Sequence, residues 1–230
     1  MKILCINPNN SLEMTRIIEK RCRQVSSANT KVDTRCLAEG PSSLESYQKA
    51  ALAISQLVKE FTEWREQYDG FVMACHSDIG VDLLREMTPK PVLGMGEASM
   101  LFAAVLGHKF SILSLKRKAI PKKEDLVKKY GFEGRCASVR ETGLGATAEP
   151  EEILERLLQE GRKAVEDDGA EVLILGCAGM GDLDKDIERE LGVPVIDGIV
   201  SGLLIIESLI RYDKKTSKAA KYKNPANEQT

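Results

Sequence analysis

Short apolar or β-branched runs alternate with longer amphipathic ones along the whole chain. The short runs are Met1 to Ile6, Lys31 to Leu37, Phe71 to Ala74, Pro91 to Leu93, Phe110 to Leu113, Cys136 to Val139, Val172 to Leu175 and Val193 to Ile196. Runs such as FVMA and VLIL are apolar at every position, the pattern of strands buried on both faces of a parallel sheet. Between them, helical periodicity covers roughly Leu12 to Val25, Leu44 to Glu66, Val81 to Met87, Ser99 to Leu106, Lys122 to Tyr130, Pro150 to Asp168, Leu183 to Leu191 and Val200 to Tyr212. Ser11 and Ser43 are placed to cap the first two helices, and Pro150 followed by two glutamates makes a favourable first turn. Repeated βαβ order predicts a doubly wound α/β fold with its active loops at the carboxyl ends of the strands.

One pattern occurs twice. YDGFVMAC (Tyr68 to Cys75) is followed by VDLLREM and then by PVLGMGEAS from Pro91; AEVLILGC (Ala170 to Cys177) is followed by LDKDIEREL and then by PVIDGIVS from Pro194. The cysteines lie 102 residues apart and the prolines 103, so the two units match along their length. The duplication predicts two similar α/β lobes: 1–96, with 200–212 packing back on it, and 97–199. The segment 213–230, basic, polar and containing Pro225, is expected to be a flexible tail.

Composition narrows the partners. With 33 basic against 35 acidic residues there is no electrostatic footprint for nucleic acid or anionic lipid, and 5% aromatic residues offer little from which to build a base-stacking platform. A small neutral or anionic molecule fits better. MKILCINPNNS enters a strand at once, and no apolar stretch approaches the roughly 18 residues of a membrane span, so a cytoplasmic protein is expected. Six cysteines with no CxxC spacing suggest neither a disulfide framework nor a zinc knuckle, and two histidines, His76 and His108, argue against a histidine-built metal site.

Cys75 and Cys177 both end an apolar strand, where a following helix would place its positive end against the thiol and raise its thiolate fraction. Gly176, Ala178 and Gly179 around Cys177 would let a ligand approach the backbone closely. If the lobes face each other, two thiols meet across one cleft. One, as thiolate, removes a proton from an acidic C–H carbon, and the other, as thiol, reprotonates the opposite face; the sulfurs would stand roughly 7 Å apart. No cofactor is needed where the substrate stabilises the carbanion. Other strand ends supply Asn7, Asn9, Ser11, Ser43 and Ser114.

INPNNSLEMT (Ile6 to Thr15), GPSSLES (Gly40 to Ser46), PVLGMGEA (Pro91 to Ala98), and LGCAGM followed by PVIDGIV between Leu175 and Val200 resemble the hydantoin/allantoin racemase branch of the Asp/Glu racemase superfamily. The resemblance runs to about Arg211. It implies two α/β lobes related by pseudo-twofold symmetry, homo-oligomerisation and cofactor-independent catalysis by Cys75 and Cys177. By motif position it also implies that Asn9, Ser43, Ser114 and the backbone of Ala178 and Gly179 hold ring carbonyls and amides. Family members commonly follow the first cysteine with Phe-Gly-Asp-Pro; here His76, Ser77, Asp78 and Ile79 follow, a polar and ionisable wall.

His76 has two readings, a pocket contact that also influences Cys75 or a side chain packed away from it. Ser77 joins it as a candidate substrate contact, while Asp78 is read as the N-cap of the next helix. Cys5, Cys22, Cys36 and Cys136 lack the repeat relationship and read as core or surface thiols. Beside racemisation of a hydantoin or ureide stand an amino-acid racemase, a maleate-type cis–trans isomerase and an arylmalonate-type decarboxylase. From another class comes a non-catalytic, two-lobed ligand-binding or redox-sensing protein.

Overall fold

A computed structural model describes residues 1–144 and 149–224. The elements run β1 (Lys2–Asn7), α1 (Leu12–Val25), β2 (Lys31–Cys36), α2 (Tyr47–Trp64), β3 (Gly70–Met73), α3 (Val81–Met87), β4 (Val92–Gly94) and α4 (Met95–Leu106). The order then repeats: β5 (Phe110–Ser114), α5 (Ile120–Lys129), β6 (Cys136–Glu141), α6 (Pro150–Glu166), β7 (Val172–Leu175), α7 (Asp184–Leu191), β8 (Val195–Asp197) and α8 (Gly198–Arg211). The chain divides into two compact units, Met1–Met95 with the chain from Gly202 onward, and Gly96–Ser201.

Each unit holds a four-stranded parallel sheet, ordered β2-β1-β3-β4 in the first and β6-β5-β7-β8 in the second. All strands of a sheet therefore deliver their carboxyl ends to one edge. The strands GFVM (β3) and VLIL (β7) are buried at every position, as their uninterrupted apolar runs require. In the first unit Leu57, Phe61, Trp64, Tyr68 and Phe71 form the core, with the Phe61 and Phe71 rings edge to face at 4.7 Å. Burial of each such side chain is worth about 1.5–3 kcal/mol. A Cβ on Gly70 would press on Ile206 and Ile210, so this glycine lets α8 lie close against β3. In the second unit, Phe110, Ile112 and Ile174 pack with Leu126 and Val127, while Leu113, Leu173 and Leu175 pack with Leu157 and Ile187.

Three expectations need correction. The cap of α2 is Ser46, whose Oγ accepts from Lys49 N at 3.2 Å; Ser43 lies outside the helix because Leu44 turns in to pack on the core first. Helix α4 begins at Met95, directly after β4, and Ser99 sits inside it with its hydroxyl donating to Gly96 O at 2.8 Å. The tail is not loose as far as Asn224. Thr216 N donates to Pro89 O at 2.8 Å, Tyr222 OH donates to Asp82 Oδ1 at 2.8 Å, and Lys218 Nζ donates to Arg85 O and Glu86 O at 2.5 and 2.9 Å. Those two carbonyls belong to the last turn of α3 and have no intrahelical donor, so a lysine delivered by the tail satisfies them. Residues 225–230, with Pro225, lie outside the described residues, as do 145–148. Among the described residues no helix is long and apolar enough to cross a membrane.

In the second unit a forked ion pair ties β6 to the end of α6. Arg140 Nε and Nη2 donate to Asp168 Oδ2 and Oδ1 at 2.5 and 2.8 Å, and Ser138 Oγ donates to the same carboxylate. The Arg140 hydrogen bonds hold the Asp168 carboxyl below the usual carboxylate range. A depressed folded-state value means stabilisation that is complete above about pH 4 and is lost as pH falls through that depressed value. Asp168→Asn should therefore cost about 1.5–3 kcal/mol at neutral pH. In urea unfolding the gap to wild type should close as pH falls through that depressed value.

Candidate active site

The two cysteines occupy equivalent places. Ala74 N donates to Ile6 O at 2.9 Å and Gly176 N to Leu113 O at 2.8 Å, and in each case the next residue is the cysteine, carried just past the third strand of its sheet. Each cysteine carbonyl then accepts from the residue three further on: Asp78 N to Cys75 O at 2.9 Å, Met180 N to Cys177 O at 3.1 Å. Both thiols are half-buried and neither forms a disulfide. Cys75 Sγ lies 3.1 Å from Ser77 Oγ. By contrast Cys5 and Cys22 are buried, and burial pushes the Cys136 thiol up to about 11.

No α-helix starts directly after either thiol, which corrects the expected placement at helix N-termini. After Cys75 the chain passes through Asp78 (φ 48°) and Gly80 (φ 77°), and these left-handed residues delay α3 to Val81. The cap position of α3 is Gly80, which has no side chain, so Asp78 is not the cap of that helix. Cys177 stands at the head of a 3-10 segment, Ala178–Leu183, that precedes α7.

On the carboxyl edge of the first sheet, Asn9, Ser43, His76 and Ser77 all fall on loops that follow strands. Asn9 Oδ1 accepts from Ser11 N at 2.8 Å and from Asn7 Nδ2 at 3.0 Å, an Asx-type turn that fixes the orientation of the amide. Its Nδ2 makes no hydrogen bond among the described residues and is left as a donor. Asn7, 1% exposed at the end of β1, also donates to Thr15 Oγ1 and Ser11 O. Ser11 caps α1 by accepting from Met14 N. Leu37 N donates to Asn9 O and Asn10 N to Pro41 O, which ties this loop to the one carrying Ser43. Ser43 Oγ accepts from Lys49 Nζ at 2.9 Å, so its own hydrogen is directed elsewhere. His76 is buried and Ser77 exposed.

The second sheet brings Ser114, Ala178 and Gly179 to its own carboxyl edge. Ser114 is buried at the end of β5, the place Asn7 holds on β1; Ala178 is buried and Gly179 exposed. Sequence reasoning missed Lys123. It lies on α5, buried, with Nζ donating to Gly176 O at 2.7 Å, the carbonyl directly before Cys177. Its signal was a lysine at helical spacing with the buried Leu126 and Val127, on the face that should be apolar. Lys123→Met leaves that carbonyl without its charged donor, and urea unfolding should show a loss of about 1.5–3 kcal/mol. Among the described residues no group of three or more His, Cys, Asp or Glu side chains is placed to hold a metal ion.

Known proteins match this chain along nearly its whole length. The sequence matches the Asp/Glu/Hydantoin racemase family over residues 3–203. It is 41% identical to the hydantoin racemase of Pseudomonas sp. (strain NS671) over 98% of this chain and 92% of that protein. It is 36% identical to the hydantoin racemase of Paenarthrobacter aurescens over 100% of this chain and 99% of that one. The crystal structure of allantoin racemase from Pseudomonas fluorescens superposes with a TM-score of 0.95 at 31% identity, covering 100% of this chain and 99% of that one. A duplicated sheet, a cysteine turn in each half and similarity that runs from the first strand into the last helix lead to one assignment: the chain belongs to the Asp/Glu/hydantoin racemase family.

Proposed function

We propose that this chain is a racemase that inverts the acidic C–H stereocentre of a 5-substituted hydantoin, or of a related ureide such as allantoin, with Cys75 and Cys177 as its two acid–base groups. The observation that carries this reading is the duplicated turn, which presents one half-buried thiol from each unit on matching hydrogen bonds. The hydantoin and allantoin racemases to which the chain is similar support the substrate class.

The chemistry follows from the ring. The C5 hydrogen of a hydantoin lies beside a carbonyl. A thiolate on one face takes that proton, and the C–H electron pair moves onto the carbonyl oxygen to form a planar enolate. The thiol on the other face then gives its proton to C5 while the carbonyl re-forms. The product is the opposite enantiomer, and the two cysteines have exchanged protonation states, so the reverse reaction resets them. General acid–base groups of this kind contribute about 10²–10⁴-fold each. The electron sink is the substrate's own carbonyl, so the scheme calls on no cofactor.

Donors that bind the enolate oxygen more tightly than the ground-state carbonyl add to the rate. The groups proposed for ring carbonyls and amides are Asn9 Nδ2, the hydroxyls of Ser43 and Ser114, and the backbone amides of Ala178 and Gly179. Ser77, when it donates to Cys75, favours the thiolate. With His76 beside it, this wall suits a hydantoin whose substituent is polar. Homo-oligomerisation and a cytoplasmic setting belong to the same proposal. The test is a panel of single-enantiomer hydantoins and allantoin followed by circular dichroism. Rotation should decay to zero with no change of mass, fastest for polar substituents; a panel in which every compound keeps its rotation overturns the reading.

A further inference from the structure

The two cysteine turns rest on the same hydrogen bonds but draw their buried carboxyl from different chain positions. Asp78 and Met180 close the turns on Cys75 O and Cys177 O. Gly94 and Asp197 end the fourth strands, opposite Met73 and Leu175. These pairs equate the halves residue by residue: Asp78 stands where the second unit has Met180, and Gly94 where it has Asp197. A Cβ on Gly94 would run into the Asp78 carboxyl, so Asp78 fills the space that a strand-end side chain would need. Each unit thus keeps one carboxyl at this corner, Asp78 3% exposed and Asp197 4% exposed. The remaining positions are a buried methionine in one unit and a glycine in the other.

Asp197 serves its corner simply. Its Oδ1 accepts from Ile199 N at 2.7 Å as an ordinary cap of α8, and its backbone has no positive φ. Asp78 reaches the equivalent place only with φ 48°, a conformation that is uncommon for a residue other than glycine and marks a site held by its surroundings. If helix capping alone were needed, an aspartate at position 94 would supply it without that conformation. The first unit instead ties the carboxyl to the turn that carries the thiol. A carboxyl accepts several N–H groups at once, which methionine and glycine side chains cannot do, and so can hold the angle at which the turn leaves the sheet.

We propose that Asp78 and Asp197 are equivalent positioning residues for Cys75 and Cys177, and that each half-site requires the buried carboxyl but not the chain position that supplies it. Only the kinetic part of the test rests on the racemase reading. The variants are Asp78→Met, which replaces the carboxyl with the side chain found at Met180, and Asp78→Met with Gly94→Asp, which returns a carboxyl from the strand-end position used by Asp197. Iodoacetamide labelling resolved by mass spectrometry reads each thiol without substrate, and C5 proton exchange reads turnover.

In D78M the Cys75 labelling rate should change about fivefold or more while that of Cys177 holds, and kcat should fall about 100-fold with little change in KM, the scale expected when a reacting group is misplaced by about an ångström. D78M/G94D should recover to within about tenfold of wild type. Equal changes at both thiols, or a folded double variant no better than D78M, overturn the proposal. Should D78M fail to fold, Asp78→Asn keeps the shape and one acceptor; a change at Cys75 alone supports the proposal and none overturns it. A wild-type protein that exchanges no hydantoin proton removes the racemase reading, and the labelling comparison still decides this one.

Discussion

Cys177→Ser should lower racemisation by about 10²–10⁴-fold while leaving the unfolding transition in place. The substitution changes one atom of a half-buried side chain that forms no disulfide, so packing has little to lose. The chemistry loses much more. A serine hydroxyl is a far weaker acid than a thiol, is scarcely ionised at neutral pH and cannot serve as the resting base. Cys75→Ser should have an effect of the same size, because in the proposed scheme each complete inversion uses both groups. Optical rotation followed against time, beside a thermal melt of each variant, checks both halves of the expectation.

Gly176→Ala should damage both stability and turnover. A Cβ there would stand 2.5 Å from Leu113 O and 2.9 Å from Lys123 Nζ. The lysine can shift; the backbone carbonyl, held in β5, cannot move far. That carbonyl also accepts the N–H of Gly176 itself, so an added methyl would pry apart the bond that sets where the chain leaves β7. Overpacking of this kind costs about 1–3 kcal/mol. The next residue is Cys177, and a shift of about an ångström in a reacting group costs about 100-fold in rate. The equivalent residue of the first unit is already alanine, and Ala74→Gly should cost only about 0.5–1 kcal/mol. Urea unfolding together with initial rates of racemisation separates the two glycine and alanine positions.

Much of the fold was legible because its signals are local. VLIL and FVMA have no polar position and so had to be strands covered on both faces, and the matched offsets of Cys75 to Cys177 and Pro91 to Pro194, with the segments around them, carried the duplication. The details that escaped depend on contacts across the sheet edge. Whether Ser43 or Ser46 caps α2 is decided by Leu44 packing on the core, which capping preference alone does not register. The tail looked unstructured because its composition is polar, yet Lys218 and Tyr222 are held by groups on α3 more than a hundred residues away in sequence. Lys123 did leave a trace, a charge on an apolar helix face, but its partner is the Gly176 carbonyl on another element. The exchange of roles among Asp78, Gly94, Met180 and Asp197 needed strand register, since neither aspartate has a counterpart at the same repeat position.

The central claim is that two thiols serve two opposite faces of one carbon, and deuterium exchange by the single variants tests it most directly. Each enantiomer of one 5-substituted hydantoin would be incubated in D₂O with Cys75→Ser and with Cys177→Ser, and loss of the C5 proton signal followed by NMR. The account predicts complementary behaviour: each variant exchanges one enantiomer, the two variants choose opposite ones, and neither interconverts them at an appreciable rate. Exchange of both enantiomers by either variant, or racemisation that keeps a rate close to wild type after the loss of a thiol, would contradict it.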